Sequence, residues 1–324
     1  MKTVLLSNRY EGQLKEILEK LVGDRFRLKM LNRNSKEALL HEIADSDYLL
    51  YSGQLELDSD ILKAAGNLKM IQRTGVGVDR IDLETLKNLK IPLYVNKGVN
   101  AGSVAEYTVM LMLETIKNNR VISYNMTRGK WEKYGDGITV HELSGKTIGI
   151  IGMGNVGRAV ASMLAGFNVR KIYYSRTRIS GEDERRLCVD YRDLDTLLSV
   201  SDIISLHCSY DKRIGPIINS SEMERMKKGA IIINTARGKL IEEKALIDSL
   251  ESGRIAAAGL DTFSEEPLSP DSQLRGMKQV VLSPHIAGLS FEAYERMLSR
   301  AIDNIVCFDN GNTEDIRDSL YPNE

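Results

Sequence analysis

Three kinds of feature are scarce or missing in this chain of 324 residues. It has only three cysteines, Cys188, Cys208 and Cys307, scattered without C-x-x-C spacing. That pattern argues against a disulfide framework or a metal site and favours a reducing cytoplasm. No apolar run approaches the roughly 18 to 20 residues that a membrane-spanning helix needs. Neither sign of charge is in excess, because 44 basic residues face 45 acidic ones, so neither a nucleic-acid nor a membrane partner is expected.

What the sequence does contain is a regular alternation of short apolar runs and amphipathic stretches, which predicts strands and helices in turn. The length favours two domains, and the first apolar run is too short for the core of a signal peptide. We expect the α/β class, with two doubly wound parallel sheets. The predicted strands are Val4–Leu6, Phe26–Leu31, Tyr48–Tyr51, Met70–Arg73, Leu93–Val95, Ile148–Ile151, Ile172–Tyr174, Ile203–Leu206, Ile231–Asn234, Ala256–Leu260 and Val280–Leu282.

The stretch Thr147–Gly157, TIGIIGMGNVG, carries a G-x-G-x-x-G loop between an apolar run and the helix-compatible segment Arg158–Ala165. Gly152 permits a tight turn, Gly154 lets a pyrophosphate approach the backbone, and Gly157 allows close helix–strand packing. The free N–H groups at the helix start can then hold the phosphates. The alternative is a glycine-rich turn that binds nothing. The flanking strand and helix favour a dinucleotide site.

The position of this loop predicts the domain organisation. Because it begins near the middle of the chain, a complete α/β unit precedes it. The last helical pattern, Ser290–Asn310, follows the final strand and is expected to pack back on that unit. We therefore expect a substrate-binding domain at 1–98 and 290–324, with a Rossmann-like dinucleotide-binding domain at 99–289 inserted between its two parts.

Three ionisable residues, Arg237, Glu266 and His285, follow three late strands. In an open parallel sheet, ligands bind beyond the carboxyl ends of the strands. Arg237 can grip a carboxylate and polarise the adjacent carbonyl. His285 can deliver a proton, with Glu266 as the carboxylate partner that favours its protonated form. This set predicts hydride transfer to the C2 carbonyl of a 2-oxo acid, with no metal and no nucleophile, because a nicotinamide cofactor carries the redox step.

Each of these residues also has an ordinary interpretation. Arg237 could be a solvated loop residue, Glu266 an exposed residue before a proline, and His285 a turn residue. A competing histidine, His207, follows an earlier strand and is interpreted as a packing or lining residue. The occurrence of all three candidates at strand ends of one sheet favours the catalytic interpretation.

Together these residues resemble the D-isomer-specific 2-hydroxyacid dehydrogenase family, which includes glyoxylate/hydroxypyruvate reductases and D-3-phosphoglycerate dehydrogenases. The resemblance covers nearly the whole chain, and its motifs agree in order and spacing. The matching segments are RTGVGVDRIDL (73–83), NAGSVAEYTVMLML (100–113), GMGNVG (152–157), INTARG (233–238), AAAGLDTFSEEPL (256–268) and LSPHIAG (282–288).

The resemblance implies the same roles for Arg237, Glu266 and His285. It also implies that the backbone N–H groups of Val76 and Gly77 bind the substrate carboxylate. The other residues expected to contact substrate are Tyr51, Ser52 and Asn100. The residues expected to contact the cofactor, from the glycine loop and the resemblance, are Ser103, Gly152, Gly154, Asn155, Val156, Gly157, Ser175, Arg176, Thr177, Cys208, Ala236 and Asp261.

The sequence departs from the family pattern at the end of the second strand of the nucleotide domain. An acidic residue about 20 positions after the glycine loop normally binds the ribose hydroxyls of NAD. Here the strand ends in Ser175, Arg176, Thr177 and Arg178. Because arginine pairs with a 2′-phosphate, NADP(H) is favoured, with Arg176 as the better-placed arginine. NAD(H) beside a basic surface loop stays the alternative.

Two further departures concern the substrate and the cofactor loop. Phosphoglycerate dehydrogenases carry an arginine near the end of the third strand, where this chain has Tyr51 and Ser52, so a phosphorylated substrate is disfavoured. The family's Leu-His-x-Pro-Leu-Thr is replaced by LHCSYD (206–211). The loss of the proline weakens the cofactor contact assigned to Cys208.

We therefore expect an NAD(P)H-dependent reductase that acts on glyoxylate, hydroxypyruvate or a similar short 2-oxo acid and gives a D-2-hydroxy acid. Two alternatives stay open: an NAD(H)-sensing scaffold similar to corepressors of the same fold, and a non-redox nucleotide-binding enzyme. The resemblance also implies a homodimer through the nucleotide-binding domain, with two lobes hinged over a cleft. Trp131, the only tryptophan, would lie in or near the dimer contact unless it is a core residue.

Overall fold

Two mostly parallel sheets form in the computed structural model, one in each of two units. The structure describes residues 1–131, 133, 140–316 and 318–321. Unit 1 comprises Met1–Asn100 and Ser290–Glu324, and unit 2 comprises Ala101–Leu289. No helix in the described part of the chain has the length and apolar character needed to cross a membrane.

Unit 1 is built around a sheet with strand order β13-β5-β4-β3-β1-β2. All neighbouring strands are parallel except β13, which pairs antiparallel with β5. The strands are β1 Lys2–Leu6, β2 Phe26–Met30, β3 Tyr48–Tyr51, β4 Met70–Arg73, β5 Leu93–Tyr94 and β13 Ser319–Tyr321. The helices are α1 Gly12–Val22, α2 Lys36–Ile43, α3 Ser59–Ala64, α4 Leu83–Asn88 and α12 Phe291–Asp309.

Unit 2 has a parallel sheet with strand order β12-β11-β10-β9-β6-β7-β8. Strands β7 and β8 are added on one side of β6, and β9 to β12 are added on its other side. The boundary between β6 and β9 is the topological switch point, where doubly wound folds bind ligands. The strands are β6 Thr147–Ile151, β7 Arg170–Tyr174, β8 Val189–Tyr191, β9 Ile203–Leu206, β10 Ala230–Asn234, β11 Ile255–Leu260 and β12 Val280–Leu282. The helices are α5 Ala101–Ile116, α6 Asn119–Thr127, α7 Asn155–Met163, α8 Gly181–Leu187, α9 Leu194–Val200, α10 Ser220–Arg225 and α11 Glu243–Glu251.

Each sheet is covered on both faces, which explains the near-continuous apolar strands of the sequence. In β10 all five residues, AIIIN, are buried, and the unit 2 sheet separates two apolar clusters. Unit 1 has a corresponding pair of clusters. The expected α/β class with two doubly wound parallel-sheet domains is confirmed.

Short polar residues start many of the helices. The side chains of Asp58, Asp193 and Ser290 accept hydrogen bonds from backbone N–H groups in the first turns of α3, α9 and α12. Asn219 forms a reciprocal capping box with Glu222 at the start of α10. Such caps satisfy N–H groups that have no partner within the helix, and so they determine where each helix begins.

Candidate functional site

The glycine loop lies at the switch point of the unit 2 sheet. Gly152 follows β6 with φ of +99°, and a Cβ placed on it would lie 2.6 Å from the Cys208 backbone nitrogen. A Cβ on Gly157 would lie 2.1 Å from the Gly152 carbonyl oxygen. Both positions therefore require glycine, one for a turn against the neighbouring loop and one for close helix packing. A Cβ on Gly154 would meet nothing within 4 Å, so the backbone is open there.

These features fit a pyrophosphate. Helix α7 begins at Asn155, directly after Gly154, and Val156 is its second residue. Gly154 provides no side-chain cap. Backbone N–H groups at such a start carry partial positive charge and bind phosphate oxygens. The open backbone at Gly154 leaves room for the ligand to approach them. The loop predicted from sequence thus has the conformation that a dinucleotide cradle needs.

The end of β7 presents a basic loop beside this cradle. Ser175 is half-buried, whereas Arg176 and Thr177 are exposed. Arg178 makes a two-pronged ion pair with Glu184, at 2.7 and 2.8 Å, and stacks over the Tyr191 ring. Because Arg178 is committed to the protein, Arg176 is the arginine better able to meet a ligand.

Arg237 is presented by a turn that a buried asparagine shapes. The Asn234 side chain, at the end of β10, accepts a hydrogen bond from the Ala236 N–H at 3.0 Å and donates one to the Arg237 carbonyl at 2.9 Å. The guanidinium is half-buried, and its Nη1 donates to the Ala236 carbonyl at 2.8 Å. The motif INTARG pointed to Arg237, but the role of Asn234 emerges only from these two hydrogen bonds.

Glu266 and His285 meet directly, although 19 residues separate them. The distance between His285 Nδ1 and Glu266 Oε2 is 2.8 Å, and the Phe263 N–H donates to Glu266 Oε1 at 3.1 Å. The imidazole is 49% exposed and the carboxylate 31%, so both are open to solvent. With Nδ1 held by the carboxylate, Nε2 is the ring nitrogen available to exchange a proton with a ligand.

Electrostatics keep Glu266 ionised. Burial alone would raise the pKa of this carboxyl, but the hydrogen bond and charge of His285 act against it. The Phe263 N–H and the positive charge of Arg237 also lower it, and the net result is a pKa below the ordinary value. The three residues predicted to carry the chemistry are therefore coupled within unit 2.

We predict that acid weakens this unit through Glu266. Its folded pKa lies below the ordinary value of 4.5, so the unfolded chain takes up the proton first as the pH falls. The stabilisation is present above a pH of about 4.5 and is lost as the pH falls through the lower folded pKa. Between about pH 6 and about pH 3, the free energy of unfolding by urea should fall less in Glu266→Gln than in the wild type. Equal slopes, or the same effect in the exposed neighbour variant Glu265→Gln, would contradict this expectation.

Asp261 lies behind His285 and is fully buried. Its carboxylate accepts hydrogen bonds from the Ser283 hydroxyl at 2.6 Å and from the Ile286 and Ala287 N–H groups, both at 2.9 Å. Burial raises the pKa of this carboxyl despite those donors. Its backbone carbonyl accepts from the His285 N–H at 2.8 Å. Asp261, expected to contact the cofactor, is thus engaged with the loop that carries His285.

Several other predicted cofactor residues take definite positions in unit 2. Ser103 is half-buried and donates to the Ala287 carbonyl at 3.1 Å. Ala236 is half-buried at the Arg237 turn. Cys208 packs its backbone on Gly152, and burial raises the pKa of its thiol.

The competing histidine, His207, and the tryptophan take clear positions. Half-buried His207 approaches the Ser205 hydroxyl at 2.8 Å, and burial lowers its pKa to about 3. A neutral, shielded imidazole fits packing better than proton transfer at neutral pH. Trp131 is 80% exposed, so it is not a core residue of this chain.

The substrate residues predicted in unit 1 divide into two groups. Ser52, Val76, Gly77 and Asn100 lie in loops where they are half-buried or exposed. The Tyr51 side chain, in contrast, is 1% exposed and packs in the core, with its hydroxyl bonded to the Leu55 carbonyl. Both faces of β3 are covered and all four of its residues are buried, so the expectation that this ring contacts the substrate does not fit its position.

Comparison with known proteins identifies the family of the chain. Residues 109–287 match the family described as D-isomer specific 2-hydroxyacid dehydrogenase, NAD binding domain. The chain is 38% identical to glyoxylate reductase of Thermofilum pendens, over 84% of this chain and 81% of that protein. It is also 38% identical to hydroxypyruvate reductase of Thermotoga maritima, over 83% and 87% of the two chains.

A solved structure extends the likeness to the full length. D-lactate dehydrogenase from Aquifex aeolicus, complexed with NAD and lactic acid, superposes with a TM-score of 0.87 at 26% identity and covers 100% of both chains. The glycine loop of unit 2 therefore belongs to a nicotinamide-cofactor domain. On these grounds the chain is a member of the D-isomer specific 2-hydroxyacid dehydrogenase family.

Proposed function

We propose that this protein reduces the C2 carbonyl of a short, unphosphorylated 2-oxo acid, such as glyoxylate or hydroxypyruvate, to the D-2-hydroxy acid. The observation that carries the proposal is the 2.8 Å contact between His285 and Glu266, with the Arg237 charge acting on the same carboxylate. The names of the two curated relatives, glyoxylate reductase and hydroxypyruvate reductase, support the substrate class.

The proposed roles follow from the chemistry of each side chain. Arg237 binds the substrate carboxylate and stabilises the negative charge that develops on the carbonyl oxygen. His285 Nε2 delivers a proton to that oxygen, and Glu266 orients the ring through Nδ1. The nicotinamide cofactor, held at Gly152–Gly157, supplies the hydride when bound. In unit 1, the Val76 and Gly77 amides bind the carboxylate.

The preference for an unphosphorylated substrate rests on the end of β3. Tyr51 turns into the core, and the Ser52 hydroxyl lies 3.2 Å from the Ser7 hydroxyl. Neither residue offers a positive charge, and the Arg73 guanidinium beside them donates to the Ser52 and Gly77 carbonyls. A phosphate dianion needs charged or multiple donors to replace its water shell, so a small uncharged tail fits this loop better.

The test is a steady-state assay of NADPH and NADH oxidation with glyoxylate, hydroxypyruvate and 3-phosphohydroxypyruvate, followed by chiral analysis of the glycerate formed from hydroxypyruvate. We expect turnover of the first two substrates and D-glycerate from the second, since glycolate formed from glyoxylate is achiral. The alternative of a cofactor-sensing scaffold is not favoured, since the relatives named above are reductases. NAD(P)H binding without turnover of any 2-oxo acid would revive it, and absence of NAD(P)H binding would favour a non-redox nucleotide enzyme.

We propose that the cofactor is NADP(H). Exposed Arg176, with Ser175 and Thr177 on either side, can bind a 2′-phosphate. The charge of Arg176 also acts on the loop after β9. The pKa of Asp211 in that loop is lowered to about 2, chiefly by hydrogen bonds from Arg213, and Arg176 contributes to the shift. Glu184 is held by Arg178 and is therefore not free to select a ribose hydroxyl.

Arg176→Asp should shift the ratio of kcat/KM for NADPH to that for NADH by roughly 10- to 100-fold toward NADH, the scale of a lost hydrogen bond to a charged group. The same change at Arg185, an exposed arginine in α8, is the matched control for net charge. A ratio that stays the same in Arg176→Asp, or that changes equally in Arg185→Asp, would contradict the 2′-phosphate assignment.

We propose further that the protein works in a reducing cytoplasm, since its three cysteines are unpaired. We also propose that it forms a homodimer through unit 2. Helices α5 and α6 and the segment after them expose large apolar side chains, which a second copy could cover. They are Met110, Ile122, Tyr124, Met126 and Trp131.

A further inference from the structure

The side chain of Arg73 joins two loops of unit 1. Arg73 ends β4, and its Nε donates to the Gly77 carbonyl at 3.0 Å. Its Nη1 donates to the Ser52 carbonyl at 2.6 Å and to the Thr74 hydroxyl at 3.1 Å. The guanidinium also stacks over the Tyr51 ring, 5.4 Å from its centre. One residue therefore binds the loop after β3 and the loop after β4 at the same time.

Gly53 provides the space that this side chain occupies. Its φ is +87°, and a Cβ placed on it would lie 2.3 Å from Arg73 Nη2 and 2.7 Å from Cζ. The guanidinium therefore packs directly against the Gly53 backbone. A larger residue at this position would displace it.

A second residue holds the loop after β4 from the other side. Asn96 is buried; its N–H donates to the Gly75 carbonyl at 3.0 Å, and its side chain donates to the Thr74 carbonyl at 3.1 Å. Together with the Arg73–Gly77 bond, three carbonyls of this four-residue loop are committed to the protein. The loop is therefore rigid, and Val76, 46% exposed, lies at its accessible part.

We propose that Arg73 is a positioning residue that holds these two loops in the arrangement that binds the substrate carboxylate. The inference rests on the proposed function, because that function assigns the carboxylate to the Val76 and Gly77 amides. In this proposal Arg73 acts through the loops that it holds, since its Nε and Nη1 donate to carbonyl and hydroxyl oxygens of the protein. A planar fork is required, because a lysine ammonium lacks the fixed geometry that reaches separate loops.

The test compares Arg73→Lys and Arg73→Gln with the wild type. In both variants we expect the KM for glyoxylate to rise about tenfold with kcat within about threefold, the pattern of lost binding that is equal in ground and transition states. The dissociation constant for NADPH should stay unchanged, because the glycine loop belongs to unit 2. Glyoxylate binding to the enzyme–NADP⁺ form, measured by calorimetry, should weaken by the same factor.

Gly53→Ala provides a second variant that keeps Arg73 and its charge but displaces the guanidinium. We expect the same rise in KM, even if the Arg73 variants fail to fold. The control for positive-φ strain is Gly23→Ala, where φ is +53° and nothing lies within 4 Å of the added Cβ. The control for change of an arginine in unit 1 is Arg25→Lys, an exposed residue between α1 and β2 and outside both loops.

The outcomes separate the two proposals. A KM that changes by less than about threefold in Gly53→Ala or Arg73→Lys overturns the positioning role, even where the melting temperature falls as it does in the controls. That result leaves the reductase function standing. A rise in KM in the test variants but not in Gly23→Ala or Arg25→Lys supports the positioning role. A wild-type enzyme that binds NADPH but neither binds nor reduces any 2-oxo acid overturns both.

Discussion

Replacing His285 with alanine is expected to lower kcat for 2-oxo acid reduction by roughly 10² to 10⁴, the usual cost of losing a general acid. The imidazole is hydrogen-bonded to Glu266 at 2.8 Å through Nδ1 and is 49% exposed, so Nε2 can reach a ligand. Without it, only water could protonate the forming alkoxide. Initial rates of NADPH oxidation at saturating glyoxylate measure the effect.

Two controls distinguish this loss from misfolding. The NADPH dissociation constant should be unchanged in His285→Ala, because the glycine loop does not depend on the imidazole. His141→Ala removes an exposed histidine from the same unit and should retain wild-type turnover. If His285→Ala keeps near-wild-type kcat, the proton donor must be another group, and the assignment of the Glu266–His285 pair is wrong.

Arg237→Gln should lower kcat/KM for the 2-oxo acid by roughly 10² to 10³, the scale observed when a donor to a developing oxyanion is removed. In the proposed mechanism the guanidinium binds the substrate carboxylate and stabilises the charge on the carbonyl oxygen, so its loss is expected to weaken binding and the chemical step together. It also removes a positive charge that lowers the pKa of Glu266. Arg237→Lys should recover only part of the loss, because lysine keeps the charge without the planar fork.

The matched control is Lys239→Gln, which removes an exposed positive charge two residues away. It should leave kcat/KM within about threefold of the wild type, because a surface charge this far from hydrogen-bonding reach is largely screened. An Arg237→Gln enzyme with an unchanged kcat/KM would show that the carboxylate is bound elsewhere. A loss of equal size in Lys239→Gln would indicate a general charge effect instead.

The buried strands were predictable from sequence because each is a short apolar run covered on both faces. Such runs as Tyr48–Tyr51 and Ile203–Leu206 coincide with observed strands. Two short edge strands, Val189–Tyr191 and Ser319–Tyr321, were missed. Edge strands are half-buried and mix polar with apolar residues, so little local pattern distinguishes them from loops.

The candidate site shows the same division. The glycine spacing and the positions of Arg237, Glu266 and His285 after strands were visible in the sequence. The hydrogen bond of the Tyr51 hydroxyl to the Leu55 carbonyl was not, because only the packed sheet decides where the side chain at the end of this strand is held. The hydrogen bonds of Asp261 to the His285 loop were equally invisible, since they join residues more than 20 positions apart.

By itself, the sequence determined the α/β class, the dinucleotide loop and the chemical types available for catalysis, because each depends on local periodicity or on residue identity. Only the tertiary structure decided which groups meet. Glu266 is hydrogen-bonded to His285, and Arg73 links two loops. Arg178 is paired with Glu184, whereas Arg176 stays exposed. Those contacts join residues from different strands and loops, and the folded sheets alone set their distances.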